Sequence, residues 1–227
     1  MINFIKSQPA PACLVVEKAK NNGDYKCGDV LERLNVDFYK KCYICEDKEL
    51  TSINVEHFEA HEGDLDLKFD WNNLFLACSH CNNTKSNIFK DLLNCIKSTP
   101  IITECIGFKI DGFPKSKPSF TSSLQNDVNV DNTILLLDAV YNGTTLLKKI
   151  ESSNLRDRLG KEMKVFIDLL HQYFYDDGLN EDEKENLKVQ IRRKLSPQSP
   201  FTAFKIDAIK ANEVMFDEFK GLLPTFS

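Results

Sequence analysis

No apolar run in this chain comes near the roughly 18 residues that a membrane-spanning helix requires, so the sequence predicts no span. Its opening, Met1-Ile-Asn-Phe-Ile-Lys6, lacks the basic-then-apolar layout of an export signal. Internal repeats are absent. So is a glycine-rich loop of the phosphate-cradling type, which excludes an ATP-hydrolysing site of that class. Positive charge is scarce: 29 Lys and Arg face 34 Asp and Glu, a net charge of −5. Phosphate binding wants a basic surface, so any cationic surface for nucleic acid must be local or come from a partner. What remains is ordinary for a globular chain: 227 residues, 42% apolar and 28% charged, enough for one domain or two small ones.

The eight cysteines divide into two groups. Cys42-Tyr-Ile-Cys45 and Cys78-Ser-His-Cys81 are CxxC pairs separated by 32 residues, the layout of one tetrahedral zinc site. Each pair forms a tight knuckle, and metal binding then holds together a segment too small to build its own core. Cys13, Cys27, Cys95 and Cys105 show no metal spacing and read as small buried apolar residues. A metal-type cysteine pattern without an export signal fits a reducing cytosol, so a cytoplasmic location is expected.

Between the knuckles, Glu56 and His57 form an acid–His pair on an apolar, β-branched stretch with Ile53 and Val55, and Asn82 directly follows the last cysteine. A carboxylate and an amide oxygen suit a hard cation such as Mg²⁺ or Mn²⁺. An adjacent imidazole takes a proton from water near neutral pH. A base, a hard-metal site and a structural zinc are the parts needed to hydrolyse a phosphodiester. In a regular strand Glu56 and His57 point to opposite faces, so the strand must end or bend there. Phe58-Glu-Ala-His-Glu-Gly63 reads as that exit.

The run of CxxC, acid-His, Asn73-Leu74 and then CxxC followed by Asn82 resembles the HNH nucleases, with Asn82 where many members carry His. The resemblance implies a ββα-metal fold and a role for each matching residue. His57 would be the general base, Glu56 and Asn82 the ligands of the catalytic metal, and Asn73 the brace of the loop that orients His57. Lys85, three residues beyond Asn82, would contact phosphate. Met1, Ile5, Lys6, Pro9 and Leu14, together with Val55-Glu-His-Phe58, Asp70-Trp-Asn-Asn-Leu74 and Lys85, resemble the PtuB-like branch. That branch is the nuclease component of Septu antiphage systems, also found as retron effectors. Its members usually carry proline and lysine soon after the acid-His-Phe, where this chain has Glu59-Ala-His-Glu62. The resemblance implies an antiphage setting and a PtuA-like ATPase partner.

Elsewhere the pattern is mostly helical. Short helices are expected over 11–20 and from Asp29 to Phe38, and another over 79–97. Residues 101–113 read as one or two strands. Lys109, Lys115 and Lys117 interleave with Phe108, Phe113 and Phe120, which reads first as a solvated loop and second as a nucleic-acid contact. Asp131 is expected to cap a helix over 133–141. Long helices follow over 144–175, 181–195 and 202–222. His171 reads as a packing histidine; His61 and His80 receive no role.

The fold expected is α+β: a zinc-stapled ββα-metal module over 38–97, an N-terminal arm and helices over 1–37, and a mostly helical region over 98–227 that could dock a partner. The function expected is a metal-dependent endonuclease acting on nucleic acid, DNA ahead of RNA, with catalytic Mg²⁺ or Mn²⁺ and structural Zn²⁺. The alternative is a catalytically silent, zinc-containing nucleic-acid-binding or scaffold protein. Phe166, Phe174, Phe201, Phe204, Phe216 and Phe219 offer apolar surface that fills the core or serves a partner.

Overall fold

The computed structural model describes residues 1–226 except 49, 51 and 113, so Phe113 of the basic-aromatic stretch lies outside the described residues. The architecture is α+β. Two short helices, α1 (Ala12–Lys18) and α2 (Gly28–Asp37), precede an antiparallel pair, β1 (Ile53–His57) and β2 (Leu74–Cys78). The pair runs in register from Ile53 opposite Cys78 to His57 opposite Leu74. Helix α4 (Ser79–Lys85) follows β2 directly and completes a ββα unit; α3 (Leu65–Phe69) lies in the connection between the strands. Leu74, Phe75, Leu76 and Ala77 of β2 are all buried, so the hairpin is sunk in the molecule rather than laid on its surface.

A second hairpin, β3 (Ile106–Lys109) with β4 (Ser119–Ser122), follows the single-turn α5 (Ile102–Cys105). The remainder is helical: α6 (Val128–Asn142), α7 (Leu146–Tyr175), α8 (Glu181–Leu195), α9 (Thr202–Lys210) and α10 (Glu213–Phe219). Caps set these boundaries. Asp127 accepts from the amides of Asn129 and Val130, so α6 starts five residues before the expected Thr133. Asn180 and Glu183 form a reciprocal capping box on α8. Asn212 caps α10 and breaks the expected 202–222 helix in two. The helix expected over 79–97 stops at Lys85, because Ser86 (φ 45°) and Asp91 (φ 51°) take left-handed backbone. Residues 101–105, expected as strand, are in part the turn of α5.

One apolar core runs from the N-terminal arm to α10. Phe108, Phe120, Tyr141 and Phe204 meet edge to face or tilted at 5.5–6.0 Å, tying the second hairpin to α6 and α9. Phe166, Phe201, Phe204 and Phe219 are buried and Phe174 packs against them; Phe216 alone of that group is exposed. The phenylalanines therefore fill the core. Buried Glu46 accepts from the Met1 ammonium (2.8 Å), Lys41 Nζ (2.9 Å) and the amides of Thr202 and Ala203. Burial alone would raise its pKa; Lys41 and the Met1 ammonium outweigh it and hold the carboxyl at about 2. The first zinc knuckle is thereby joined to the N-terminus and to α9.

Cys95 and Cys105 are free and buried as expected, but Cys13 and Cys27 are joined in a disulfide with their Cα atoms 6.4 Å apart. The packing of α1 on α2 brings together two positions whose spacing signals nothing. The bond also weakens the inference of a reducing compartment, where disulfides are rare. No helix among the described residues is long and apolar enough to cross a membrane.

Candidate active site

A four-cysteine cluster and the acid-His pair lie at opposite ends of the β1–β2 hairpin. At one end, Cys42 and Cys45 lie in the turn before β1, Cys78 ends β2 and Cys81 sits in the first turn of α4. The knuckles close through backbone N–H donors, Glu46 N to the Cys42 carbonyl at 2.9 Å and Cys81 N to the Cys78 side-chain Sγ at 3.4 Å. The four sulfurs lie within 4.8 Å of one another, with Cys45 and Cys78 at 4.0 Å. A tetrahedral Zn–S shell of about 2.3 Å places sulfurs about 3.8 Å apart, so this donor set fits zinc. Hydrogen bonds from the neighbouring thiols drive the Cys78 thiol strongly down, while burial pushes Cys45 and Cys81 up.

At the other end, β1 carries Glu56 inward and His57 outward. Glu56 is 6% exposed; its Oε1 pairs with Lys85 Nζ at 2.9 Å. Its Oε2 makes no hydrogen bond of ordinary geometry among the described residues, and the Tyr43 hydroxyl close by helps to hold the carboxyl pKa down. Burial pushes the Glu56 carboxyl up to about 7 against the opposing pull of Lys85. His57 is half-buried, and its Nε2 lies 3.0 Å from the carbonyl oxygen of Lys68. A carbonyl only accepts, so Nε2 carries the proton and Nδ1 is left with a free lone pair. Burial lowers the His57 pKa, which favours the neutral ring. The ring lies against Tyr25 at 4.4 Å and His61 at 4.7 Å between centroids.

Asn73 clamps the connection that supplies those contacts. Its Oδ1 accepts from Glu59 N (2.7 Å), and its Nδ2 donates to the carbonyls of Glu59 (2.9 Å) and Leu67 (3.1 Å). Asn82 is partly exposed on α4 and makes no side-chain hydrogen bond among the described residues. Lys85 departs from expectation. It is 3% exposed and reaches inward to Glu56 and to the His57 carbonyl (3.2 Å), not outward beside Asn82. An unpaired carboxylate buried under β1 is costly, and Lys85 is the cation within reach. A cleft of about 410 Å³ opens beside this pair, lined by residues of both signs including Glu59, Glu62, Lys90 and Lys97.

The remaining histidines divide by burial. His80 bonds Glu151 Oε2 (2.9 Å) and the Val140 carbonyl (2.8 Å), bracing α4 on α6 and α7. His171, expected to pack, is exposed and meets the edge of Tyr175. Lys109, Lys115 and Lys117 are exposed while Phe108 and Phe120 turn into the core, so the described residues of the stretch form no alternating basic-aromatic face.

Residues 42–87 match the family model of the HNH endonucleases. The matched HNH segment holds both zinc knuckles, both strands, Glu56, His57, Asn73, Asn82 and Lys85. It supports nuclease action on nucleic acid. No curated protein matches the chain. Sequence reasoning missed Tyr25 and the Lys68 carbonyl. Tyr25 lies 17 residues before the segment, and a backbone carbonyl leaves no signature in residue type.

Proposed function

We propose that the protein is a metal-dependent HNH endonuclease. The observation that carries this reading is the orientation of His57. With Nε2–H held on the Lys68 carbonyl, Nδ1 is the atom available to take a proton from water. The water oxygen attacks phosphorus as that proton moves to Nδ1, and the P–O bond to the leaving oxygen breaks. Asn73 keeps the carbonyl-bearing connection in place. Glu56, through its Oε2 beside the Tyr43 hydroxyl, and Asn82 would hold Mg²⁺ or Mn²⁺, which would supply Lewis-acid stabilisation of charge on the phosphate and leaving oxygens. The four-cysteine zinc is structural.

The finer reading is a PtuB-like nuclease, acting on DNA before RNA in antiphage defence and restrained by a PtuA-like ATPase. The motif resemblance supports it, as does an exposed aliphatic patch (Leu146, Leu147, Ile150) at the start of α7 that a partner would cover. One observation favours a silent site instead: Lys85 already neutralises the carboxylate that the metal needs.

Purified protein assayed on plasmid and on total RNA with Mg²⁺ separates these readings. His57→Ala is expected to fold normally and to lose about 10²-fold or more in cleavage rate. A folded variant that cuts at the parental rate removes His57 as the base. Parental protein that binds nucleic acid and never cuts it establishes the silent site.

A further inference from the structure

The segment between α1 and α2 lies outside the HNH match, yet it reaches the imidazole. We propose that residues 20–27 form the outer wall of the hydrolytic site, with Tyr25 positioning His57 and the Cys13–Cys27 bridge locking that wall in place. The proposal rests on the nuclease reading for its kinetic consequence only; the contact itself is a matter of geometry.

The Tyr25 ring is half-buried and lies 4.4 Å from the His57 ring, on a loop tied down at several points. Lys68 Nζ donates to the Gly23 carbonyl (3.1 Å) while the carbonyl of the same Lys68 accepts from His57 Nε2. One residue of α3 therefore holds both the imidazole and the loop that covers it. Lys18 of α1 pairs with Asp66 of α3, which ties the start of the loop to the same helix. Asp24 N donates to Glu17 Oε2 (3.0 Å), and Lys26 N to Asp24 Oδ1 (2.9 Å). Gly23 is buried, and a Cβ there would sit 1.8 Å from the Glu17 carbonyl oxygen, so the backbone passes where no side chain fits.

The covalent tie is at Cys27, two residues beyond Tyr25, on a bridge back to Cys13 in α1. Two residues of chain span at most about 7 Å, so fixing Cys27 confines Tyr25. Both cysteines are partly exposed and open to a reductant. A dithiol reduces the bridge to two thiols by giving up two electrons and two protons and becomes a disulfide; a phosphine gives the two electrons and becomes its oxide, with the oxygen and both protons taken from one water molecule. The loop then keeps only its hydrogen bonds, and the imidazole loses a fixed neighbour. An imidazole held on one side only samples orientations in which Nδ1 no longer faces the attacked phosphorus.

The test uses the full chain with zinc bound. Alkylation and mass measurement of denatured, unreduced protein should count six free thiols and one bridge; eight free thiols overturn the lock. Tyr25→Ala is expected to lower kcat about tenfold or more with KM little changed, and Tyr25→Phe, which keeps the ring, to recover most of it. The double variant Cys13→Ser, Cys27→Ser should lower kcat in the same direction with zinc content and thermal midpoint retained. A readout independent of cleavage is the NMR shift of the His57 ring protons, displaced by the Tyr25 ring current in the parent. That displacement should vanish in Tyr25→Ala and shrink in the double serine variant. Unchanged His57 shifts in both variants overturn the wall, and a loss confined to KM makes Tyr25 a substrate contact. Absence of any nuclease activity defeats the functional reading alone, and the ring shifts then decide the proposal.

Discussion

Asn73 directs its whole side chain at the connection behind His57, bonding Glu59 N, the Glu59 carbonyl and the Leu67 carbonyl. Asn73→Ala leaves those backbone groups without partners, and the expected loss is about 1–3 kcal/mol in urea unfolding, with cleavage falling as the Lys68 carbonyl shifts. A variant as stable as the parent means the loop is held elsewhere. Lys6 is a second buried polar residue, donating to the carbonyls of Trp71 and Leu74. Burial pulls its pKa from 10.5 to about 7, against the raising effect of Asp37 and Asp70. Between those values the unfolded chain binds more protons than the folded one, so this contribution to stability grows as pH rises and is lost as pH falls through 7. Lys205, lowered to about 8 by burial, acts in the same direction. Lys6 by itself should therefore add about 2 kcal/mol between pH 7 and pH 9. Glu56 and the buried Cys95 thiol, both raised by burial, act in the opposite direction, so the check is the difference between the parental and Lys6→Met urea profiles. That difference should grow over this range, and a constant or shrinking difference contradicts the burial argument.

At the scale of elements, the zinc knuckles and the hairpin depend on one another. Cys42 and Cys45 precede β1, whereas Cys78 and Cys81 join β2 to α4, so a metal held by these four sulfurs would close the ββα unit on the side opposite His57. A structural site of this kind stabilises only the folded chain. Cys81→Ser is expected to lose zinc and solubility together, as read by elemental analysis and circular dichroism. Well-folded parental protein without bound zinc would defeat that expectation. Helix α4 shows how an element serves both ends. Cys78 caps it from the zinc side, Asn82 lies on its partly exposed surface, and Lys85 closes it under β1.

Over the whole molecule, net charge and core composition bear on partnership. The chain carries a net charge of −5 and spends its phenylalanines on its own interior. Among the exposed apolar side chains, those at the start of α7 lie close together on one turn, where Leu146 is 81% exposed and Leu147 66%. If a PtuA-like ATPase docks there, co-expression should yield one peak in size-exclusion chromatography, and Leu147→Asp should split it. Separate elution at micromolar concentration, with the nuclease alone cutting as fast as the mixture, marks a free-standing enzyme.

The four-cysteine cluster and the helices of the C-terminal half were legible in sequence because each rests on local spacing. CxxC knuckles, period-3.6 apolar faces and capping residues act over a few positions. The capping box at Asn180 and Glu183 bounds α8 at the residue expected, whereas Asn212 interrupts an apolar pattern that periodicity alone reads through. Contacts between distant segments were decided only in three dimensions. Lys85 has the i+3 spacing of a partner for Asn82, yet the ion pair it makes is with Glu56 on another element. Cys13 and Cys27 read as unrelated apolar residues until the packing of α1 on α2 joins them. Tyr25 carries no motif at all, and it reaches His57 because a loop between two short helices is folded back onto α3. Local chemistry sets which residues are capable of a role; long-range packing determines which of them meet.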